Sequence, residues 1–334
     1  MRCLLSAIKF TAILKFLRKG ICKSSGAPAV YNQEAMIEYL YLGRIGYAEA
    51  LELQEEIVSL RQRGLVDNVL LLLEHPPVLT LGRNAHRSNI LASDEFLASR
   101  GVSVHEINRG GDVTYHGPGQ LVGYPIFDLR SLHNDSGGRL GPVDFVRRVE
   151  EALIRLCGQH GLPTFRIPGL TGVWCAAAQG SPLDENNTAT NRSAEASVEH
   201  SKENPQGEKK IAAIGIHVSR GVTSHGFAFN LATNLDDFQL IIPCGIADHP
   251  VASLAQEVGH RQPLPALEDF AHQAARQFGQ VFGEQVLAIE NMDVLRQQAR
   301  IAAERAKFPA EDTAATPPAQ LERLRQPGGG PVSA

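Results

Sequence analysis

Between Gln179 and Glu208 the chain lacks the means to fold by itself. The stretch is rich in Ser, Asn, Glu and Gly and carries no Phe, Tyr or Trp, so it offers too little apolar surface to offset the entropy of ordering it. Any core must therefore close around this stretch. The flanks, Gly172–Ala176 and Ile211–Val218, read as strands. Strands of this kind still pair across a long insertion, because each doubling of loop length adds only about 0.6 kcal/mol. Residues 179–208 are accordingly expected to be a disordered insertion between neighbouring strands.

The remaining chain alternates strand and helix patterns. Tyr39–Arg44 predicts a short strand, and Tyr47–Gln62 predicts a helix that gathers Ala50, Leu51, Leu53, Ile57, Val58 and Leu60 toward one side. Val69–Leu73 and Val78–Leu81, separated by Pro76-Pro77, read as buried strands. A helix over Pro142–His160 opens with proline in its first turn and ends at Gly161. Ile211–Val218 and Val222–Asn230, joined through Ser219-Arg220-Gly221, predict a hairpin, and amphipathic helices are expected over Ala266–Phe282 and Met292–Lys307. The fold class is α/β (α+β), with mixed sheets flanked by helices around a single catalytic domain at 36–305.

Residues 1–35 form a basic leader, since Arg2, Lys9, Lys15, Arg18, Lys19 and Lys23 all precede the first carboxylate, Glu34. It reads as an upstream-start extension with Met36 as the start, or alternatively as a targeting peptide or a membrane-surface helix; it is too interrupted by lysine to span a membrane. Residues 306–334, rich in Ala, Pro and Gly, read as a flexible tail. The formal charge is only −4, and no dense basic block interleaved with aromatics occurs in the central region, which argues against nucleic acid as a partner. A membrane partner is not expected either. The five cysteines include no C-x-x-C pair and no zinc-like spacing. A reducing, cytoplasmic setting is expected, with no metal and no cofactor.

Three segments hold residues that folding alone does not demand. Arg109–Leu121, RGGDVTYHGPGQL, surrounds Arg, Thr, Tyr, His and Gln with glycines that let a backbone approach a ligand closely. It also fits a tight turn between strands Val102–Ile107 and Leu121–Leu129. Lys210 opens the apolar run KIAAIG, as a site group or as a snorkelling edge lysine. Its neighbour Lys209 must point to the opposite face of the strand. His225–Asn230, HGFAFN, leads on to Pro243–Ile246, PCGI, where Cys244 sits in a turn that exposes it or buries it as a small apolar residue.

Together these motifs resemble the lipoyl(octanoyl) transferase family from about Tyr41 to about Ala255. The resemblance implies a fold similar to the catalytic domain of biotin and lipoate protein ligases. It implies that Cys244 carries an acyl thioester and that Lys210 is its catalytic partner. It further implies that Arg109, Gly110, Gly111, Asp112, Val113, Thr114, Tyr115 and His116, with Ala213, Ile214 and Gly215 and with Gly226, Phe227 and Ala228, form the acyl-substrate pocket. The donor would be octanoyl-acyl carrier protein, and the acceptors would be lipoyl domains of 2-oxoacid dehydrogenases and the glycine-cleavage carrier protein. The insertion before Lys210 departs from the family pattern without touching a motif residue.

The chemistry suits these residue types. Thioester-to-amine transfer runs downhill and needs no ATP, only a nucleophile, a proton shuttle and an acyl slot; a thiol of pKa about 8.5 becomes a good nucleophile beside a cation. His116 and His225 are candidate orienting groups. Rival readings are a lipoyl-domain amidotransferase, a lipoate or biotin protein ligase, a non-catalytic binding module and a Cys–His hydrolase.

Overall fold

The computed structural model describes residues 36–134, 137–176, 207–242, 250–259 and 263–307. The leader, most of the expected insertion and nearly all of the expected tail lie outside the described residues, as does Cys244.

An eight-stranded mixed sheet forms the frame. Its members are β1 (Met36–Arg44), β2 (Asn68–Glu74), β6 (Gln120–Ile126), β7 (Phe165–Ile167), β8 (Leu170–Cys175), β9 (Lys209–Ser219), β10 (Val222–Asn230) and β11 (Gln285–Ala288), in the order β11-β1-β2-β6-β10-β9-β8-β7. A three-stranded sheet, β4-β3-β5, comprises β3 (Val78–Leu81), β4 (Ser103–Glu106) and β5 (Val113–His116).

Both faces of the large sheet are covered. One packs on α3 (Pro142–Gln159) and α5 (Leu267–Phe282), through Phe127, Phe145, Leu153, Phe270 and Phe278. The other packs on α1 (Tyr47–Gln62) and α6 (Met292–Lys307), through Ala50, Ile57, Leu295 and Ala299. Double coverage explains why NVLLLLE in β2 is buried at every position rather than at every second one. The small sheet has its own core, in which Val113 and Tyr115 meet Phe238 and Leu240. The short helices α2 (Asp94–Ser99) and α4 (Leu254–Val258) complete the described α-helices, and 3-10 turns occur at Arg87–Asn89 and Leu235–Leu240.

The helices over Tyr47–Gln62 and Met292–Lys307 and the β9–β10 hairpin lie where the sequence predicts them. The strands flanking the insertion pair as expected, with Val173 opposite Ala212 and Trp174 opposite Lys210. Several features differ. β1 starts at Met36 because its first residues pair in parallel with β11, a partner far away in sequence. Pro76-Pro77 separates strands of two different sheets. The glycine-rich stretch is not one turn, since β5 forms inside it by pairing with β3. Glu208, placed at the end of the insertion, is buried where β9 begins. Among the described residues no helix is long and apolar enough to cross a membrane, and no group of three or more His, Cys, Asp or Glu is placed to hold a metal ion.

Candidate active site

A cavity of about 380 Å³ opens where the glycine-rich segment meets β9 and β10. The meeting is close: Gly110 N donates to Ile216 O at 3.1 Å, and a Cβ on Gly215 would stand 2.8 Å from Gly110 O. Arg109, Gly110, Gly111, Thr114 and His116 line the cavity, as do Ala213, Ile214, Gly215, Gly226, Phe227 and Ala228. Lys210 lines it too.

Three residues assigned to the pocket on resemblance point elsewhere. β5 alternates, so Thr114 and His116 face the cavity while Val113 and Tyr115 face the small-sheet core. The Tyr115 hydroxyl donates to Asp237 Oδ2 at 2.8 Å, and the phenol pKa is raised by burial and by that carboxylate. Asp112 turns toward its own backbone and the segment after β3, accepting from Val113 N at 2.7 Å and from Asn89 Nδ2 at 2.5 Å.

The two lysines take opposite sides of β9. Lys209 Nζ pairs with Glu257 Oε1 at 2.9 Å, away from the cavity. Lys210 extends across the face of Trp174, its Nζ 4.5 Å from the ring centroid. Beside it Gly172 has φ +131°, and a Cβ there would stand 2.6 Å from Ala212 O, so the β8–β9 approach at this point requires glycine. Lys210 also anchors the segment that follows Cys244 in sequence, since Lys210 N donates to Pro250 O and Ala252 N donates to Lys210 O, each at 2.9 Å. Just before Cys244, Ile242 N donates to Asn89 O at 2.8 Å.

Arg109 is nearly buried and spans the two sheets. Its Nη2 donates to Thr80 O at 2.8 Å and to Thr80 Oγ1 at 3.0 Å. His116, the neighbouring wall, has its pKa lowered to about 3, chiefly by burial and then by the imidazole of His75. Burial also lowers His75 and His225 to about 4. His75 Nδ1 must donate to the Ile45 carbonyl at 2.8 Å, which leaves Nε2 to accept from the Tyr124 hydroxyl at 2.7 Å. All three imidazoles are therefore neutral at pH 7.

Sequence reasoning missed Tyr47, Val122, Tyr124, Val146, Ile216 and Gly169–Thr171 in the wall, and Trp174 behind Lys210. A signal existed for Tyr124: Gln120, Val122 and Tyr124 alternate on one face of β6, and a tyrosine in an otherwise apolar strand requires a buried hydroxyl partner. Tyr47 and Val146 come from helices with no local mark of a site.

Residues 46–279 match the family model for the lipoyl protein ligase A/B catalytic domain. The chain is 57% identical over 257 residues to an octanoyltransferase of Acidobacterium capsulatum, covering 77% of this chain and 94% of that protein. It is 50% identical over 260 residues to an octanoyltransferase of Koribacter versatilis, covering 78% and 90%. Among solved structures, the fold resembles a bi-partite lipoate protein ligase of Thermoplasma acidophilum, with a TM-score of 0.52 at 16% identity over 81% of this chain and 93% of that one. A lipoate-protein ligase A bound with ATP is similar at a TM-score of 0.51 and 16% identity, covering 81% and 95%. By its sequence and its fold, this chain belongs to the lipoyl protein ligase A/B catalytic-domain family.

Proposed function

We propose that the chain is an octanoyltransferase that moves an octanoyl group from octanoyl-acyl carrier protein, through a thioester on Cys244, to a lysine of a lipoyl domain. This would be the first step of endogenous protein lipoylation, carried out in the cytoplasm. The names of its relatives support octanoyl transfer. The observation that carries the reading is the placement of Lys210 on an apolar cavity walled by Ile214, Ile216, Phe227 and small residues. Burying the seven carbons of the acyl chain beyond the carbonyl at about 0.8 kcal/mol each supplies about 6 kcal/mol of binding and length discrimination.

The Cys244 thiolate attacks the donor thioester carbonyl, and the tetrahedral adduct expels the phosphopantetheine sulfur, which takes up the proton held by Lys210. The acceptor lysine amine then attacks the Cys244 thioester. An amide forms, the Cys244 thiolate leaves, and Lys210 receives the amine proton. Neutral His116 and the glycines shape the acyl slot, while the charged Arg109 guanidinium in its wall is tied to Thr80 O and Thr80 Oγ1. The lipoyl domains of 2-oxoacid dehydrogenases and the glycine-cleavage carrier are the acceptors on this reading.

Intact-mass analysis after mixing with octanoyl-acyl carrier protein tests it. An added octanoyl mass is expected on Cys244; it should be absent in Cys244→Ala and form far more slowly in Lys210→Ala. Acylation only by an octanoylated lipoyl domain would indicate an amidotransferase instead, and product made only from free octanoate with ATP would indicate a ligase.

A further inference from the structure

Two motif residues have no part in the chemistry above: Gln120, which ends HGPGQ, and Asn230, which ends HGFAFN. Both are buried, and their amides have fixed orientations. Gln120 Nε2 donates to the Tyr115 carbonyl at 3.2 Å, so its nitrogen faces that way and also donates to Asn230 Oδ1 at 2.9 Å. Asn230 Nδ2 donates to the Ala252 carbonyl at 2.9 Å. Gln120 Oε1 is then left to accept from His116 Nδ1 at 2.8 Å. A single directed chain results, from His116 through Gln120 and Asn230 to Ala252, whose N–H in turn donates to Lys210 O at 2.9 Å.

Besides this backbone bond, Gln120 and Asn230 share a cavity with Lys210. A small cavity of about 20 Å³ is bounded by Thr114, Gln120, Lys210, Ala213, Asn230 and Val251. The lysine therefore stands on one side of the brace and a wall of the acyl cavity, His116, on the other.

We infer that Gln120 and Asn230 are positioning residues of this transferase: they clamp residues 250–252 onto β9 and thereby fix Lys210 relative to His116 and the acyl slot. The inference rests on the proposed octanoyl transfer for its kinetic consequence, but the clamp itself is a statement about the fold. Each amide bonds through both its donor and its acceptor, so an apolar substitute at either position breaks the chain in the middle. Ala252 O or His116 Nδ1 then has to find another partner, and the loop shifts to provide one.

The test uses the full chain and the variants Asn230→Ala and Gln120→Leu, acting from opposite ends of the shared bond. With octanoyl-acyl carrier protein as donor and a lipoyl domain as acceptor, kcat is expected to fall about 100-fold, the effect of a misplacement near 1 Å, while KM for the donor changes little. Amide exchange at Lys210 and Ala252 is expected to accelerate in both variants. Folded variants that keep wild-type kcat overturn the proposal, as does a loss confined to KM. Should both variants fail to fold, amide exchange on the unmodified protein decides: Lys210 and Ala252 amides that exchange as fast as those of an exposed loop overturn the clamp. That arm is independent of the donor, so failure of wild-type protein to take an octanoyl group would refute the proposed function and leave the clamp to be judged by exchange.

Discussion

Two groups of packed aromatic rings lie inside the molecule, and they are held by different physics. Under α3 and α5, Phe127 sits 5.8 Å from Phe145, 6.5 Å from Phe278 and 5.3 Å from Phe282, ring centre to ring centre. Beside the 380 Å³ cavity, Tyr47 sits 5.1 Å from His75, 5.1 Å from His105 and 6.3 Å from His116. The phenylalanine group is indifferent to protons and to hydrogen-bond direction; it stabilises by removing apolar area from water. In the second group His75 and His116 tolerate burial because their ring nitrogens have matched partners and burial keeps both imidazoles neutral. The first holds the helices on the sheet, and the second contributes Tyr47 and His116 to the cavity wall.

The comparison breaks most sharply at Phe127. Phe127→Ala removes a fully buried ring and is expected to cost about 3–5 kcal/mol of stability, read as a fall in the urea midpoint with the slope unchanged. Acid should separate the groups next. His75, His116 and His225 have folded-state pKa values near 4, 3 and 4 against an ordinary 6.5. Below pH 6.5 the unfolded chain therefore binds protons that the folded one refuses. Stability present above pH 6.5 is lost as pH falls toward 4, by about 1.4 kcal/mol per pH unit for each imidazole. Urea titrations across this window should show that slope, and His75→Phe should reduce it; an unchanged slope would remove His75 from the account.

A smaller effect is expected from Tyr124→Phe. It deletes the hydroxyl that donates to His75 Nε2 and leaves a buried acceptor unmatched, at about 1–3 kcal/mol, with the ring packing intact. Smallest is Lys209→Gln, which removes the charge paired with the nearly buried Glu257 carboxylate. A stability loss of about 1 kcal/mol is expected, because the glutamine amide can still donate to Glu257, with octanoyl transfer unchanged because Lys209 points away from the cavity. A fall in transfer rate matching that of Lys210→Ala would show that the two lysines had been assigned to the wrong sides of β9.

Much of the frame was legible because it is written in local periodicity. The proline at the start of α3, the alternation that splits Lys209 from Lys210 and the pairing of β8 with β9 across the insertion all follow from neighbours in sequence. What escaped was short or long-range. β7, β11, α2 and α4 carry too few residues to show a period, and β11 exists because β1 provides an edge for it. Asp112, Val113 and Tyr115 were drawn into the pocket with their motif, although strand alternation already separates Val113 and Tyr115 from Thr114 and His116 once β5 is recognised.

The sequence by itself determined which segments become strands and helices, where the chain turns, and that Cys244, Lys210 and the Arg109–Leu121 loop belong to one family pattern. Only the tertiary structure decided which side chains wall the cavity, which proton each imidazole carries and what holds Lys210 in place. Backbone periodicity depends on residues a few positions apart, whereas His75 meets Tyr124, and Gln120 meets Asn230, across separations of 49 and 110 residues. A tautomer or an amide orientation has no value until such partners are brought together.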